Sequence, residues 1–459
     1  MIINPSITLE QVGPKLDRVF AAAGPKIVDL SRTWDPQRGT PVFTVDGRYT
    51  TRGWTEWTQG FQFGGALLQF DATGGEAFLR LGREGTLRRM ATHVSHVGVH
   101  DHGFNNVSTY GNLRRLMLEG RMPWNDMELE CYNLALKVSG AVQASRWTPL
   151  PDGQGFIPSF NGRHSLFADT IRSLRILGLA YKLGHTLMGE GDRPISLLER
   201  LIRHAQATAL YNVYYGQGRD LYDVPGRVAH ESVFNPADGS YRCPSTQQGY
   251  SVFSTWTRGL AWIILGYAEQ LEFFETLKAE EMSPFADPVD FKAQALRAAA
   301  VASDFYLQNT CSDGIPFWDT GAPGLVRLPD YRDRPSDPFN AHEPVDSSAA
   351  AIAAQGFWRL GRYLAARGDP AGGRKYRQAA LTLADTLCSA PYLSESPSHQ
   401  GLLLHVIYHR PRGWDHVPPG SSIPRGESAL WGDYHLLEFA LLLRRELEKK
   451  PYLTFFPGC

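Results

Sequence analysis

Apolar residues recur every three to four positions through most of the chain, whereas polar/apolar alternation is short and confined to segments such as Leu402 to Tyr408. This periodicity predicts a mainly helical protein. Candidate helices run from Ser6 to Ala23, Thr55 to Phe70, Gly75 to Ser95, Asn105 to Gly120, Asp126 to Ser145 and Ser165 to Leu183. The series continues from Ile195 to Tyr214, Ser254 to Phe274, Val289 to Gln308, Ser347 to Ala366, Pro370 to Cys388 and Ser428 to Lys449, about twelve in all.

Their order says more than their number. Six begin beside an aromatic or charged motif, at GWTEWTQGF, HDHGF, RHSLFADT, STWTRGLAW, PVDSSAAA and RGESALWGDYH. The helices between them begin on ordinary surface residues such as Gly74-Gly75, Asp126 or Asp369-Pro370. A closed ring of helical hairpins produces this alternation, because an inner set of parallel helices turns all its N-termini to one mouth while an outer set supports it. Stretches such as AAAIAAQGF and GLAWIILGYA, small and apolar all round, suit helices buried on both sides. The expectation is all-α: one (α/α)6 barrel of six hairpins spanning residues 1–459 as a single domain. An open solenoid would show a repeat consensus and two helical domains a low-complexity linker, and neither is present. Long aromatic-containing stretches, Gly216 to Tyr250, Asp313 to Val345 and Ser389 to Glu427, are expected to line the mouth.

Composition narrows the function. Of 459 residues, 43% are hydrophobic and 12% aromatic, enough for a large core. Lys+Arg 46 against Asp+Glu 47 leaves a net charge of -1, with no basic excess to hold a nucleic acid. The five cysteines are scattered and never spaced C-x-x-C, which argues for a reducing compartment and against a zinc ribbon. The N-terminus lacks a basic start followed by an apolar run, and no uncharged apolar stretch is long enough for a membrane span, so a soluble, cytoplasmic monomer or small homo-oligomer with no membrane partner is expected. Nucleotide-binding and serine-elbow motifs are absent, so neither a nucleotide cofactor nor esterase chemistry is expected.

Six inner-helix N-termini facing one cavity favour an anionic ligand. Arg258, four residues before Trp262 on the same helix face, would add a cation beside an aromatic platform. Trp54, Trp57, Trp256, Trp262, Trp318 and Trp431 concentrate at the motif positions, where they either stack on sugar rings or simply fill the core. An acidic sugar suits this set. Two carboxylates stand out, Asp101 in HDHGF and Asp169 in LFADT. Phe167, Ala168 and Ile171 around Asp169 would raise its pKa and let it act as a general acid, the alternative being a buried structural carboxylate. Asp101, between His100 and His102, would tune that proton or else cap the following helix. The two histidines lack the further spaced ligands of a closed metal site, so no metal is expected. His230 and Gln248 are candidate polar contacts from a loop; His204, Asp346 and Asp433 read as architectural.

The motifs EWTQGF, HDHGF, FADT, QQGYSVFSTWTRGLAW, PFWDTGAP, DSSAAAIAA and LWGDYHLLE, in this order over most of the chain, resemble the unsaturated glucuronyl hydrolases of glycoside hydrolase family 88. The resemblance implies an (α/α)6 barrel that removes the 4,5-unsaturated uronic acid left by polysaccharide lyases at the non-reducing end of an oligosaccharide, with no cofactor. It implies Asp169 as the acid protonating C4 and helping water add at C5, and Asp101 as the second essential carboxylate. His100, His230, Gln248, Arg258 and Trp262 match substrate-binding positions, with Trp57 stacking on the sugar. An unsaturated rhamnogalacturonyl hydrolase, or a sugar 2-epimerase on a related barrel, is the alternative. The chain departs from the family where His102 replaces a leucine, where Val252 and Phe253 follow the GYS motif, and in SSIPRGESALWGDY, whose Arg425 and Ser428, next to Trp431, are candidate contacts to a carboxylate, sulfate or hydroxyl at the mouth.

Overall fold

A helix walled on both sides has little room for charge, and the inner helices are built accordingly. In Ser347–Ala366 the run 347–361 is buried without a break, and in Thr257–Phe274 only Glu272 escapes burial. The outer helix Leu9–Thr33 instead buries a stripe, Val12, Leu16, Val19, Phe20 and Ala23, at three-to-four spacing. The computed structural model of the chain describes residues 1–53, 56–282, 285 and 288–456, and the side chains of 288–290 lie outside what is described. Among the described residues four free cysteines, Cys131, Cys243, Cys311 and Cys388, form no disulfide, and no helix is long and apolar enough to cross a membrane.

The inner positions are held by Gln59–Thr73, by His102–Asn106 continuing through Val107–Gly111 into Asn112–Leu118, by Thr170–Ser173 with Arg175–Lys182, and by Thr257–Phe274, Ser347–Ala366 and Leu430–Leu447. Each packs on its neighbour and the last packs on the first, so the ring closes. Outside it stand Leu9–Thr33, Glu76–Arg89 with Ala91–Val94, Asp126–Ser145, Leu197–Tyr211, Pro288–Asn309 and Pro370–Leu387. This is the helical barrel that the alternation of motif-bearing and plain helices implies. Glycine sets the closest contact: a Cβ on Gly103 would lie 2.1 Å from the Ser173 carbonyl oxygen. Gly103 N–H also donates to Ser173 Oγ at 2.8 Å, and the two helix starts that carry Asp101 and Asp169 are thereby drawn together.

Three local expectations change. The first helix continues past Ala23 and through Pro25 to Thr33, because Lys26 and Leu30 are buried in the last turns and Lys26 Nζ donates to Ser394 Oγ and Ser396 O. Ser165–Phe167 is a strand, not the start of a helix, and pairs antiparallel with Glu231–Phe234, which in turn pairs with Tyr241–Ser245. The helix therefore starts at Thr170, directly after Asp169. Leu402 to Tyr408, which alternates like a strand, forms no ladder beyond the isolated bridge of Leu403 with Leu393. Its backbone groups are shared out instead: Leu404 and Val406 N–H donate singly to Tyr392 O and Glu427 O, Leu402 and Leu403 N–H donate to the Asp433 side chain, Ser347 Oγ donates to Leu404 O, and Arg258 donates to Ile407 O and Tyr408 O.

Candidate active site

Four inner-helix starts, beginning after Thr58, Asp101, Asp169 and Trp256, supply residues to one cavity of about 860 Å³. The other two do not, because the 402–408 segment lies over them: Ser347 N–H donates to His405 O at 3.1 Å, and Asp346 caps its own helix by accepting from Ser348 N–H at 3.1 Å. The contrast with Asp101 and Asp169 is informative. Both occupy the N-cap position, yet neither carboxylate makes a capping bond, which leaves both free for the cavity they line. They are 8% and 9% exposed, buried enough to feel a low dielectric and open enough to touch a ligand.

His100 stands between them. Its Nε2 lies 3.6 Å from Asp101 Oδ1 and 3.4 Å from Asp169 Oδ1. Burial opposes a charge on this imidazole, but the two carboxylates outweigh it and raise its pKa. Asp101 is raised, chiefly by burial. Asp169 is lowered: burial alone would lift it, but the charge of His100 prevails. This corrects the expectation from its apolar sequence neighbours, since Phe167, Ala168 and Ile171 say nothing of the imidazole brought in from another helix start. The two shifts run in opposite senses, so a proton in this trio is favoured on His100 over Asp169.

Aromatic rings form the walls. Trp57 and Trp262 line the cavity; Trp57 stacks on Trp431 with centroids 5.2 Å apart, and Trp262 packs on Phe104 at 4.9 Å. Trp431 thus sits one layer behind the wall, with its Nε1–H donated to Ser348 Oγ. Trp54 lies outside the described residues. Arg258 reaches the cavity but is no free cation. It pairs with Asp346 at 3.2 Å, donates to Gln248 Oε1 at 3.0 Å and to Tyr408 O at 2.7 Å, and is flanked by Trp256 and Trp431 at 4.7 and 4.8 Å. Its guanidinium fork clamps the 402–409 segment to the barrel and presents Gln248. His230 also acts at second hand. It is buried, its Nδ1 accepts from Gln247 N–H at 3.1 Å, and burial lowers its pKa to about 4, so it is neutral.

Arg425 and Ser428 are not brought to the cavity. Arg425 donates to Phe339 O at 3.0 Å, and Ser428, fully buried, donates to Asp433 Oδ1 at 2.7 Å. His102 is structural: Ser139 Oγ at 2.8 Å and His96 O at 2.9 Å occupy its two ring nitrogens, so a hydrogen-bonded pair replaces the apolar contact a leucine would make. His204 and Asp433 are architectural as expected, His204 accepting from Ile157 N–H and Asp433 gathering Leu402 N–H, Leu403 N–H, Ser428 Oγ and Tyr49 Oη. Residues not singled out in the sequence also line the cavity, notably Asn105, Phe160, His409, Arg412 and Trp414. The signal for the last three was the aromatic content of the long stretch 389–427, which localises a mouth but not its individual contacts.

Comparison with known proteins finds the same fold. No family model matches the chain. It is 24% identical over 387 residues to an unsaturated glucuronyl hydrolase of Formosa agariphila, covering 83% of this chain and 78% of that one. It is 23% identical over 418 residues to an unsaturated chondroitin disaccharide hydrolase of Streptococcus agalactiae, covering 89% and 86%. The crystal structure of the unsaturated glucuronyl hydrolase of Bacillus sp. GL1 superposes with a TM-score of 0.69 at 22% identity, over 94% of this chain and 97% of that one. The barrel is the one found in these enzymes.

Proposed function

We propose, from a barrel shared with the unsaturated glucuronyl hydrolases, that this chain is a glycoside hydrolase releasing the 4,5-unsaturated uronic acid from the non-reducing end of lyase-generated oligosaccharides. The observation that carries this reading is the pair of uncapped carboxylates, Asp101 and Asp169, held on either side of His100 in an aromatic-walled cavity. The ring stacks on Trp57 and lies over Trp262. Its carboxylate adds a negative charge near Asp169, which raises that group's affinity for a proton, and His100 at 3.4 Å is placed to supply one.

Protonated Asp169 then gives its proton to C4 of the enol ether. Positive charge develops at C5 and the ring oxygen; water adds at C5 and returns a proton to the Asp169 carboxylate. The product is a hemiketal. It opens to a ketone, C1 becomes a hemiacetal, and collapse of that centre frees the remaining oligosaccharide. No bond at the anomeric carbon is attacked, so the carboxylate spacing that distinguishes retaining from inverting glycosidases does not apply.

The test is loss of the double bond's ultraviolet absorbance on incubation with lyase products of hyaluronan, chondroitin, heparinoids, gellan, pectin and rhamnogalacturonan. Unchanged absorbance across the panel overturns the reading; turnover of the rhamnose-linked product alone shifts it to a rhamnogalacturonyl hydrolase. Solvent deuterium incorporation without cleavage would instead mark an epimerase.

Two further outcomes are expected. The site works with one proton held on the trio, and His100 is raised above its ordinary 6.5, so kcat/KM falls as pH rises through a value above 6.5. His100→Asn removes that alkaline limb along with most of the rate; an unmoved limb would show that the proton is stored elsewhere. Arg258→Lys keeps the charge but cannot hold Asp346, Gln248 and two carbonyls at once, so KM rises about tenfold and stability falls by about 2 kcal/mol. Unchanged KM and thermal unfolding would remove the clamp from the argument.

A further inference from the structure

A second, wider groove of about 1350 Å³, walled by Tyr250, Trp318, Arg327, His342, Arg410 and Ser422, has no part in the steps above. It shares its partitions with the active cavity. Gln247 and Gln248 face the cavity while Gly249 and Tyr250 face the groove. On the other side, the single turn Arg410–Arg412 puts Arg412 on the cavity and Arg410 on the groove. Cavity and groove are thus side by side, with these two segments common to their walls.

The groove is lined for an anion. Arg327 is exposed and, among the described residues, makes no ion pair. Arg410 has a buried Nε without a hydrogen-bond partner. Asp415, which feels the charge of Arg410, is committed to the N–H groups of Tyr408 and His409. The lining carboxylate, Glu343, is likewise committed, accepting from Trp318 Nε1 and Gly324 N–H at 2.7 Å each. Tyr250 is 52% exposed, while its backbone is fixed by Asp319 at 2.8 Å, so it offers a ring face on a held support. Arg425, the cation expected at the mouth, is turned away onto Phe339.

We propose that this groove binds the leaving part of the substrate, and that it takes a chain bearing sulfate or carboxylate groups beyond the sugar next to the cleaved bond. The inference rests on the reaction proposed above and names the substrate class for it. Tyr250 stacks on a sugar of that chain, and Arg327 and Arg410 take its anionic groups.

The experiment compares kcat/KM for lyase-made disaccharides and for sulfated and desulfated tetrasaccharides, using the native chain and an Arg327→Glu, Arg410→Ala variant. The native enzyme is expected to favour the sulfated tetrasaccharide by about tenfold, carried by KM, from two partly exposed cationic contacts. The variant loses that preference and keeps the disaccharide rate. No preference in the native enzyme, or one that survives in the variant, overturns the proposal. A calorimetric titration with a saturated sulfated tetrasaccharide, which cannot react, keeps the two readings apart. Binding to the native chain and about tenfold weaker binding to the variant support the groove even if no substrate is turned over; equal affinities overturn it.

Discussion

Replacing Asp169 with asparagine is expected to lower turnover of an unsaturated disaccharide by about a thousandfold or more, within the range for loss of a general acid, while thermal unfolding changes little. The amide keeps the shape of the side chain but can neither deliver a proton to C4 nor take one from water. Stability should change little because the Asp169 carboxylate caps nothing, and because the attraction to His100 that it gives up is offset by relief of its repulsion with Asp101 in the same buried site. Asp346→Asn is the matched control. That carboxylate is fully buried, accepts from Ser348 N–H and Oγ, and pairs with Arg258, so the same substitution there lowers the unfolding temperature. Activity surviving in Asp169→Asn would end the assignment of the acid. Activity lost together with the fold would make Asp169 a structural carboxylate, as its sequence surroundings also allow.

What the sequence made legible follows from the range of the interactions involved. Alternation of motif-bearing and plain helices is written into local composition, and it was enough to specify the ring. Asp101 and Asp169 could be singled out because each stands at a helix start in an unusual setting. Their electrostatics could not, since burial in the folded cavity raises Asp101, and His100, which lowers Asp169, is brought to it from before another helix start. The same limit applies to Arg258. Its spacing from Trp262 suggested a cation beside an aromatic platform but not what holds it, since its partners Asp346, Ile407 and Tyr408 are between 88 and 150 residues distant. Leu402 to Tyr408 read as a strand because its side chains alternate, yet its backbone is satisfied piecemeal, by side chains such as Asp433 and Arg258 and by single backbone partners in neighbouring loops. Arg425 and Ser428 were proposed by position relative to a motif, and the fold of the 389–427 stretch turned them elsewhere.

Glu438→Gln is expected to cost about 3–5 kcal/mol of stability, the range seen when one partner of a buried ion pair is removed. Glu438 is fully buried inside the barrel, 3.0 Å from Arg172 Nη2 and 3.7 Å from Arg175 Nη1, and its pKa is lowered to about 2 because these cations outweigh its burial. Arg172 also meets Glu269 at 2.9 Å, and Arg359 meets Glu272 at 2.8 Å, so three arginines and three glutamates share the interior. Neutralising one glutamate leaves an arginine charge uncompensated in a low dielectric. The pH dependence has a definite sign. A carboxylate whose folded pKa is depressed contributes stability that is complete above its ordinary value of 4.5 and is lost as pH falls toward about 2. The native chain should therefore lose about 3 kcal/mol over that window through this group alone, and Glu438→Gln should lack this part of the acid limb. Burial and the neighbouring Arg175 depress Arg172 to about 10, a shift in the opposite energetic sense, so the ion pair itself adds little relative to an apolar pair of similar size. The paired replacement Arg172→Met, Glu438→Leu should then recover most of what Glu438→Gln loses in equilibrium denaturation. A double variant as unstable as the single one would mean that these charges hold the barrel in place by geometry that no apolar pair reproduces.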